Sequence, residues 1–364
     1  MRHRYDEYED DYEPRRRRPD RRKRNKAKRK DLAARLKEPP RVPEDAATGR
    51  VVAKHLGRYS VLDGGARTPC VIGSLFRKRL ALPQADPASS PSYRLAVAGI
   101  RQLDPVAVGD RVRYRREGGG DGVILDRLPR RTRLSRLAAG QKPLEQVIAA
   151  NVDQLLVVLA GSKPVPKATR LDRYLVEAAA QDLPCVVCVT KIDEGVDPAF
   201  AAALPAYEAL GYPVLRCCAF DGRGMEELRA ALAGKVSVLL GASGVGKTTL
   251  LNGLQPGLGL AVNEVSGATG KGRHTTTHLE LHALEGGGGI IDTPGMREFG
   301  LWRACRGDLA RWFPDFRPHL GGCRFGEDCA HLDEPGCAVK AAVEAGEILA
   351  TRYRSYVRLQ GERR

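Results

Sequence analysis

The chain has 364 residues, with 60 Lys and Arg against 44 Asp and Glu, a formal net charge of +16. Its length suits two or three domains. No apolar run approaches bilayer-spanning length and the charged N-terminus lacks a signal-peptide core, which predicts a cytoplasmic chain with no membrane association.

In chain order, residues 1–47 offer no packable apolar face and are expected to be a disordered tail. An acidic, tyrosine-containing stretch at 5–13 precedes residues 15–30, where twelve Lys or Arg stand against Asp20 alone. Such a run either solubilises the chain or binds nucleic acid through phosphate contacts; the second reading is favoured.

Residues 48–128 read as short strands at 49–55, 58–62, 68–72, 95–100, 111–114 and 123–125, with glycine-rich turns between them. Five or so short strands in about eighty residues suit a small barrel of the OB type, a frequent binder of single-stranded nucleic acid. Phe76, Arg77, Lys78 and Arg79 are the expected RNA-binding patch, unless the barrel serves packing only. A basic linker at 129–150 follows, in which Arg130 and Arg131 are further candidates for RNA contact.

Residues 151–300 carry the nucleotide motifs. After a buried strand at 155–159 and an apolar run at 183–189 comes Thr190-Lys191-Ile192-Asp193, which fits the guanine-reading pattern [NT]KxD. An ionised Asp193 accepts two hydrogen bonds from guanine that adenine cannot give, and Lys191 would lie along the base. Downstream, the strand-like residues 235–240 lead into Gly241-Ala242-Ser243-Gly244-Val245-Gly246-Lys247-Thr248, a phosphate loop matching GxxxxGK[ST], and Thr249 continues into a helix. Backbone N–H groups of such a loop curl around phosphates, the lysine reaches the β- and γ-phosphates, and the Thr248 hydroxyl ligates Mg²⁺. Asp292-Thr293-Pro294-Gly295 follows; Asp292 would hold Mg²⁺ through water and the Gly295 N–H would sense the γ-phosphate. Between these motifs, residues 270–277 read as the first switch loop, with Thr276 chosen as the second Mg²⁺ ligand although the sequence does not decide among its threonines. Met296 cannot orient a water as a glutamine would, so another residue or a partner must do so, and His274 is the nearest candidate.

A guanine reader that precedes the phosphate loop indicates a circularly permuted GTP-binding domain. Its expected form is a mostly parallel sheet with helices on both faces. The Cys185/Cys188 pair is dismissed as a redox motif, because residues three apart in a strand face opposite sides of the sheet. His274, His278 and His282 have helical spacing, but residues 277–284 alternate like a strand, so no metal site is expected there.

Residues 301–364 hold Cys323, Cys329, His331 and Cys337 within fifteen positions. Three thiolates and an imidazole make a closed tetrahedral Zn²⁺ shell of the structural kind; the alternative is a set of metal-free cysteines. Residues 338–359 read as helical. The nine cysteines, odd in number and clustered, fit a reducing compartment.

Taken together, these motifs resemble the RsgA (YjeQ) family of small ribosomal subunit assembly GTPases. The resemblance runs from about residue 48 to the C-terminus. It rests on Arg130-Arg131 with Leu134-Ser135-Arg136, on residues 145–153, and on the Thr190–Asp193, Gly241–Thr249, Gly272–Thr277 and Asp292–Gly295 motifs with the Cys3His set. It implies a multidomain α/β chain: an OB-type barrel, a permuted P-loop GTPase and a C-terminal zinc-binding helical module. It also implies a monomeric, cytoplasmic factor that binds the small subunit and its rRNA late in maturation and leaves on GTP hydrolysis, which the subunit stimulates. The histidine matching His274 is implicated in hydrolysis. The chain departs from the pattern in a wider first cysteine pair, in Cys217-Cys218-Ala219 where Ser-Ala is usual, and in its basic tail. Two other readings stay open: a nucleotide-gated RNA-binding protein acting on another RNA or translation partner with little intrinsic turnover, and, more distantly, a zinc-dependent ATPase.

Overall fold

The computed structural model describes residues 42–55, 57–74, 76, 105–117, 120–137, 145–258, 279–293 and 308–362. The strand expected at 95–100 and the basic tail lie outside them.

The first five strands are β1 (Ala47–His55), β2 (Arg58–Asp63), β3 (Ala66–Ile72), β4 (Arg111–Arg115) and β5 (Gly122–Arg127). They close a barrel in the order β1-β2-β3-β5-β4, with β4 returning to β1. Alternation builds its core. Along β4 the residues Arg111, Arg113 and Arg115 face outward while Val112 and Tyr114 are buried, and Val51, Tyr59, Val61, Cys70, Ile72 and Ile124 fill the interior. A bulge between Val51 and Ala53 divides β1. Its first half, Ala47 to Arg50, pairs with β4 inside the barrel, and Ala53 and Lys54 pair with a strand of the nucleotide domain.

The segment expected to be a linker is structured. It forms an antiparallel hairpin of β6 (Arg133–Leu137) and β7 (Glu145–Ala150). Leu134, Ile148 and Ala149 enter the core of the next domain, and Gln181 accepts from the Ser135 N–H at 2.7 Å. In the sequence, the basic residues mask that alternating apolar pattern.

The nucleotide domain is built on β8 (Gln154–Ala160), β9 (Cys185–Thr190), β10 (Val214–Arg216), β11 (Val236–Gly241), β12 (Leu279–Ala283) and β13 (Gly289–Asp292). The order is β10-β9-β8-β11-β13-β12; all pairs are parallel except β12 with β13. Strands β8 and β9 are buried at every residue, as a sheet covered on both faces requires. Helices α1 (Ala168–Ala179) and α2 (Pro198–Ala209) cover one face, and α3 (Met225–Leu232) and α4 (Lys247–Leu254) the other. Cys185 and Cys188 sit in these two opposite cores, as the strand period dictates.

Helices α5 (Ala338–Glu344) and α6 (Ala350–Gly361) end the chain. The sequence predicts one continuous helix here; Gly346, at φ +79°, breaks it. Their core joins Phe313, Phe316, Tyr356 and the three motif cysteines. This module is fixed to the nucleotide domain by a buried ion network: Arg352 bonds Asp315 with both Nε (2.6 Å) and Nη2 (2.7 Å), and Asp172 of α1 with Nη1 (2.6 Å). Tyr207 of α2 donates to the same Asp172 at 3.0 Å.

Candidate functional site

Strand β11 delivers the phosphate loop. A Cβ at Gly241 would lie 2.5 Å from the Val158 carbonyl oxygen of β8, so only glycine lets the loop leave the sheet at this point. Gly244 and Gly246 take φ of +78° and +87°, which curls the backbone before α4 begins at Lys247. The Lys247 ammonium is held inside the loop, donating to the carbonyls of Gly241 (2.9 Å) and Ala242 (2.8 Å). Burial lowers its pKa, opposed by the nearby Asp292 charge. A cation buried against backbone oxygens is poised to exchange them for phosphate oxygens.

Asp292 ends β13 beside this loop. Burial raises its pKa, against the pull of Lys247 and the Thr293 N–H. Its Oδ1 is buried with no hydrogen-bond partner among the described residues. An orphaned carboxylate oxygen of this kind fits a hydrated divalent cation, and with Thr248 at the head of α4 it gives the oxygen donors that Mg²⁺ prefers. Thr293 Oγ1 donates to the Leu239 carbonyl at 2.7 Å, tying the end of β13 to the strand that carries the phosphate loop.

The guanine-reading motif leaves β9 at the same edge of the sheet. The buried Thr190 hydroxyl lies 2.5 Å from the Val245 carbonyl oxygen, a direct clasp between the two sequence motifs across 55 positions. Lys191 turns the chain through φ +56° and donates to the Lys163 carbonyl at 3.1 Å, with its side-chain Cε 3.9 Å from the Cβ position of Gly246. Ile192 and Asp193 open a 3-10 turn, and Asp193 is exposed. Cys218, which stands where Ser-Ala is usual, brings its Sγ to 3.3 Å from Asp193 Oδ1, a contact the sequence does not announce. The described members of the nucleotide set thus converge on one edge. Gly295, Thr276 and His274 lie outside the described residues.

In the C-terminal module, the ligand atoms of Cys323, Cys329, His331 and Cys337 all lie within 4.8 Å of one another. His331 Nδ1 is 3.5 Å from Cys323 Sγ and 3.4 Å from Cys337 Sγ, and those two sulfurs are 3.9 Å apart. A tetrahedron with Zn–S near 2.3 Å and Zn–N near 2.0–2.1 Å has edges of about 3.5–3.8 Å. The donor set therefore suits zinc. The wide first cysteine spacing is absorbed by a 3-10 turn over Gly326–Asp328. Around the cluster, the Ala338 N–H donates to Cys323 Sγ at 3.3 Å, and Tyr353 and Tyr356 fasten the carbonyls of His331 and Ala330 at 2.9 and 2.7 Å.

Two expected RNA-contacting residues are corrected. Phe76 is 6% exposed and packs in the barrel core, because its apolar ring belongs to the interior. Arg130 is 7% exposed and committed to buried Asp110, with Nε and Nη2 each 2.7 Å from a carboxylate oxygen. Arg131 is exposed and paired with Asp153. Arg77, Lys78 and Arg79 lie outside the described residues.

A phosphate loop on β11, clasped to a guanine reader that comes earlier in the chain, defines a circularly permuted GTPase. A family model described as RsgA GTPase matches residues 127–302. A protein of Gemmatimonas aurantiaca named small ribosomal subunit biogenesis GTPase RsgA is 47% identical over 260 residues, spanning 71% of this chain and 84% of its own. One of the same name from Pseudomonas aeruginosa is 40% identical over 323 residues, spanning 86% and 91%. Among solved structures, YjeQ from Thermotoga maritima is similar at a TM-score of 0.61 and 32% identity, over 86% of this chain and 97% of that one. YloQ, titled a circularly permuted GTPase, matches at 0.58 and 28%, over 89% and 97%. The chain belongs to the RsgA GTPase family and is a GTP hydrolase of ribosome biogenesis.

Proposed function

We propose that this GTPase binds the small ribosomal subunit late in its maturation and is released when GTP is hydrolysed. The observation that carries the reading is the extent of the agreement: two relatives named for small-subunit biogenesis align with this chain over 84% and 91% of their own length. In this reading Asp193 reads guanine, the Gly241–Thr249 loop and Lys247 hold the phosphates, and Thr248, Thr276 and Asp292 hold Mg²⁺. When bound, Mg²⁺ would supply neutralisation of the phosphate charge. His274 orients or deprotonates the attacking water, and Gly295 senses the γ-phosphate. One zinc ion on Cys323, Cys329, His331 and Cys337 shapes the C-terminal module. The protein acts as a cytoplasmic monomer.

The rRNA surface is assigned to the outward arginines of the barrel. Arg111, Arg113 and Arg115 project from β4, and Arg50 is the register partner of Arg111 on β1. Four guanidinium groups on adjoining strands suit a phosphate backbone. Among the described residues, no helix is long and apolar enough to cross a membrane.

The test is GTP turnover by the purified protein, alone and with purified small or large subunits. Stimulation of tenfold or more by small subunits only is expected. Tight GTP binding with no stimulation by either subunit would transfer the function to another RNA partner.

A further inference from the structure

Strand β12 has neighbours from two domains. On one side it pairs with β13, which ends at Asp292; on the other it pairs with barrel strand β1. Glu280 is the register partner of both Asp292 and Ala53. Directly opposed residues of an antiparallel pair put their side chains on the same face, so Glu280 shares a face of the sheet with Asp292, the carboxylate read above as holding Mg²⁺. From barrel strand β3, Arg67 reaches across and places Nη1 2.7 Å from Glu280 Oε1. On the other face of the same strands, Leu279 and Leu281 pack in one cluster with Val52 and Leu62 of the barrel and Ile291 of β13. The eleven-stranded sheet therefore runs without a break from the nucleotide's edge into the barrel.

We infer that Arg67 and Glu280 form a positioning pair for GTP discrimination, through which the barrel sets how well the Asp292 end of β13 accepts a γ-phosphate. The inference rests on the guanine-nucleotide reading of the site. A second carboxylate on the same face of adjoining strands raises the cost of adding another anion there. Arg67 offsets the Glu280 charge and holds its strand against the barrel. GTP brings one more phosphate than GDP to this spot, so the pair bears on GTP more than on GDP. The loop carbonyls, Lys247 and Thr190 are untouched by it, and GDP affinity should not depend on it. Arg67 is 53% exposed, so its effect belongs to the modest class of surface pairs, screened by salt.

The experiment titrates the full-length chain with GDP and with a non-hydrolysable GTP analogue in the presence of Mg²⁺. Wild type is compared with Arg67→Ala, Arg67→Glu, and the exchange Arg67→Glu with Glu280→Arg. GDP affinity should stay within twofold throughout. Affinity for the GTP analogue should fall about twofold in Arg67→Ala and about fivefold in Arg67→Glu, return to the wild-type level or above it in the exchange, and lose its dependence on the pair at 0.5 M salt. An unchanged GTP-to-GDP ratio in Arg67→Glu overturns the inference. So does an exchange variant that melts like wild type yet fails to restore the ratio. Asp193→Asn is run alongside: if it kept full GTP affinity, the guanine-site reading would fall and this inference with it, whereas normal GDP binding with an indifferent ratio sinks the positioning pair alone.

Discussion

The most demanding prediction concerns the joint between the zinc-suited module and the nucleotide domain. Arg352 is 2% exposed and shared by Asp172, which is wholly buried, and Asp315. Its guanidinium also lies over the rings of Tyr207 and Phe313, with centroids at 5.3 and 5.2 Å. Burial opposes the Arg352 charge, but its hydrogen bonds to Asp315 and the charges of Asp172 and Asp315 outweigh it and raise its pKa. Burial pushes the Asp172 carboxyl up to about 6 despite Arg352. Arg352→Met keeps the apolar bulk and removes the cation, leaving two carboxylates with no positive partner in the joint. Removing one side of a buried pair costs about 3–5 kcal/mol, a large share of the roughly 5–15 kcal/mol that holds a domain folded.

The sign of the pH dependence follows from Asp172. Its pKa is higher in the folded chain than the ordinary 3.8, so between the two values the folded state holds more protons. The stability linked to this group is fully present at low pH and is lost as pH rises through about 6. Without Arg352 the Asp172 carboxyl is pushed further up, so the variant's deficit should be largest at pH 8 and shrink at pH 5. The difference should reach a kcal/mol or more, since moving one pKa by a whole pH unit is worth about 1.4 kcal/mol. Urea unfolding followed by circular dichroism at the two pH values measures it. Adding Asp172→Asn and Asp315→Asn to Arg352→Met should recover much of the loss, because no buried charge then lacks a partner. A deficit below about 1 kcal/mol at pH 8, or one that grows on acidification, would refute the reasoning.

Three further outcomes are expected. Asp193→Asn should weaken GTP binding at least a hundredfold and improve binding of xanthosine triphosphate, read by competition titration, because Asn offers guanine one acceptor fewer. Cys329→Ala should lower the metal content from one zinc per chain to near zero by elemental analysis, and reduce the melting temperature, since the cluster sits in the core of its module. His274→Ala should leave GTP affinity within threefold while single-turnover hydrolysis on small subunits drops a hundredfold or more; unchanged hydrolysis would remove His274 from the mechanism.

Much of the site was legible because phosphate and base recognition confine residue identity within a few consecutive positions. Gly241, Gly244 and Gly246 meet constraints of backbone conformation and close approach that only glycine relieves, and such constraints leave a readable pattern. The parallel sheet was legible from its apolar runs. The barrel strands at 49–55, 58–62 and 111–114 were legible from alternation, each within two residues of the observed bounds. What escaped depends on distant partners. Arg130 reads as surface charge until Asp110, twenty positions away, folds against it. Phe76 reads as part of a basic patch because its neighbours in sequence are charged, while its neighbours in space are not. Nothing local in Glu280 or Arg352 announces Arg67 or Asp172, which lie 213 and 180 positions away.

The positions of the two joints decide which one can answer to the nucleotide. The module carrying the Cys3His cluster is held to α1 and α2 by a network whose single breakage costs about 3–5 kcal/mol. It contacts neither β12 nor β13 through that network. The barrel is joined to β12 by two register pairs, by the packing of Leu279 and Leu281 with Val52 and Leu62, and by a half-exposed ion pair worth about 0.2–1 kcal/mol; this joint lies on the strand that pairs with β13. A site that gains or loses one phosphate bears first on the joint that touches its own strands, since coupling energies between sites are typically only about 1–3 kcal/mol. Hydrogen exchange of the intact chain bound to GDP or to a non-hydrolysable GTP analogue should therefore differ at β1 and β12 and stay the same along α6. If α6 changed as much as β1, the network at Arg352 would be the moving part and the barrel joint a passive one.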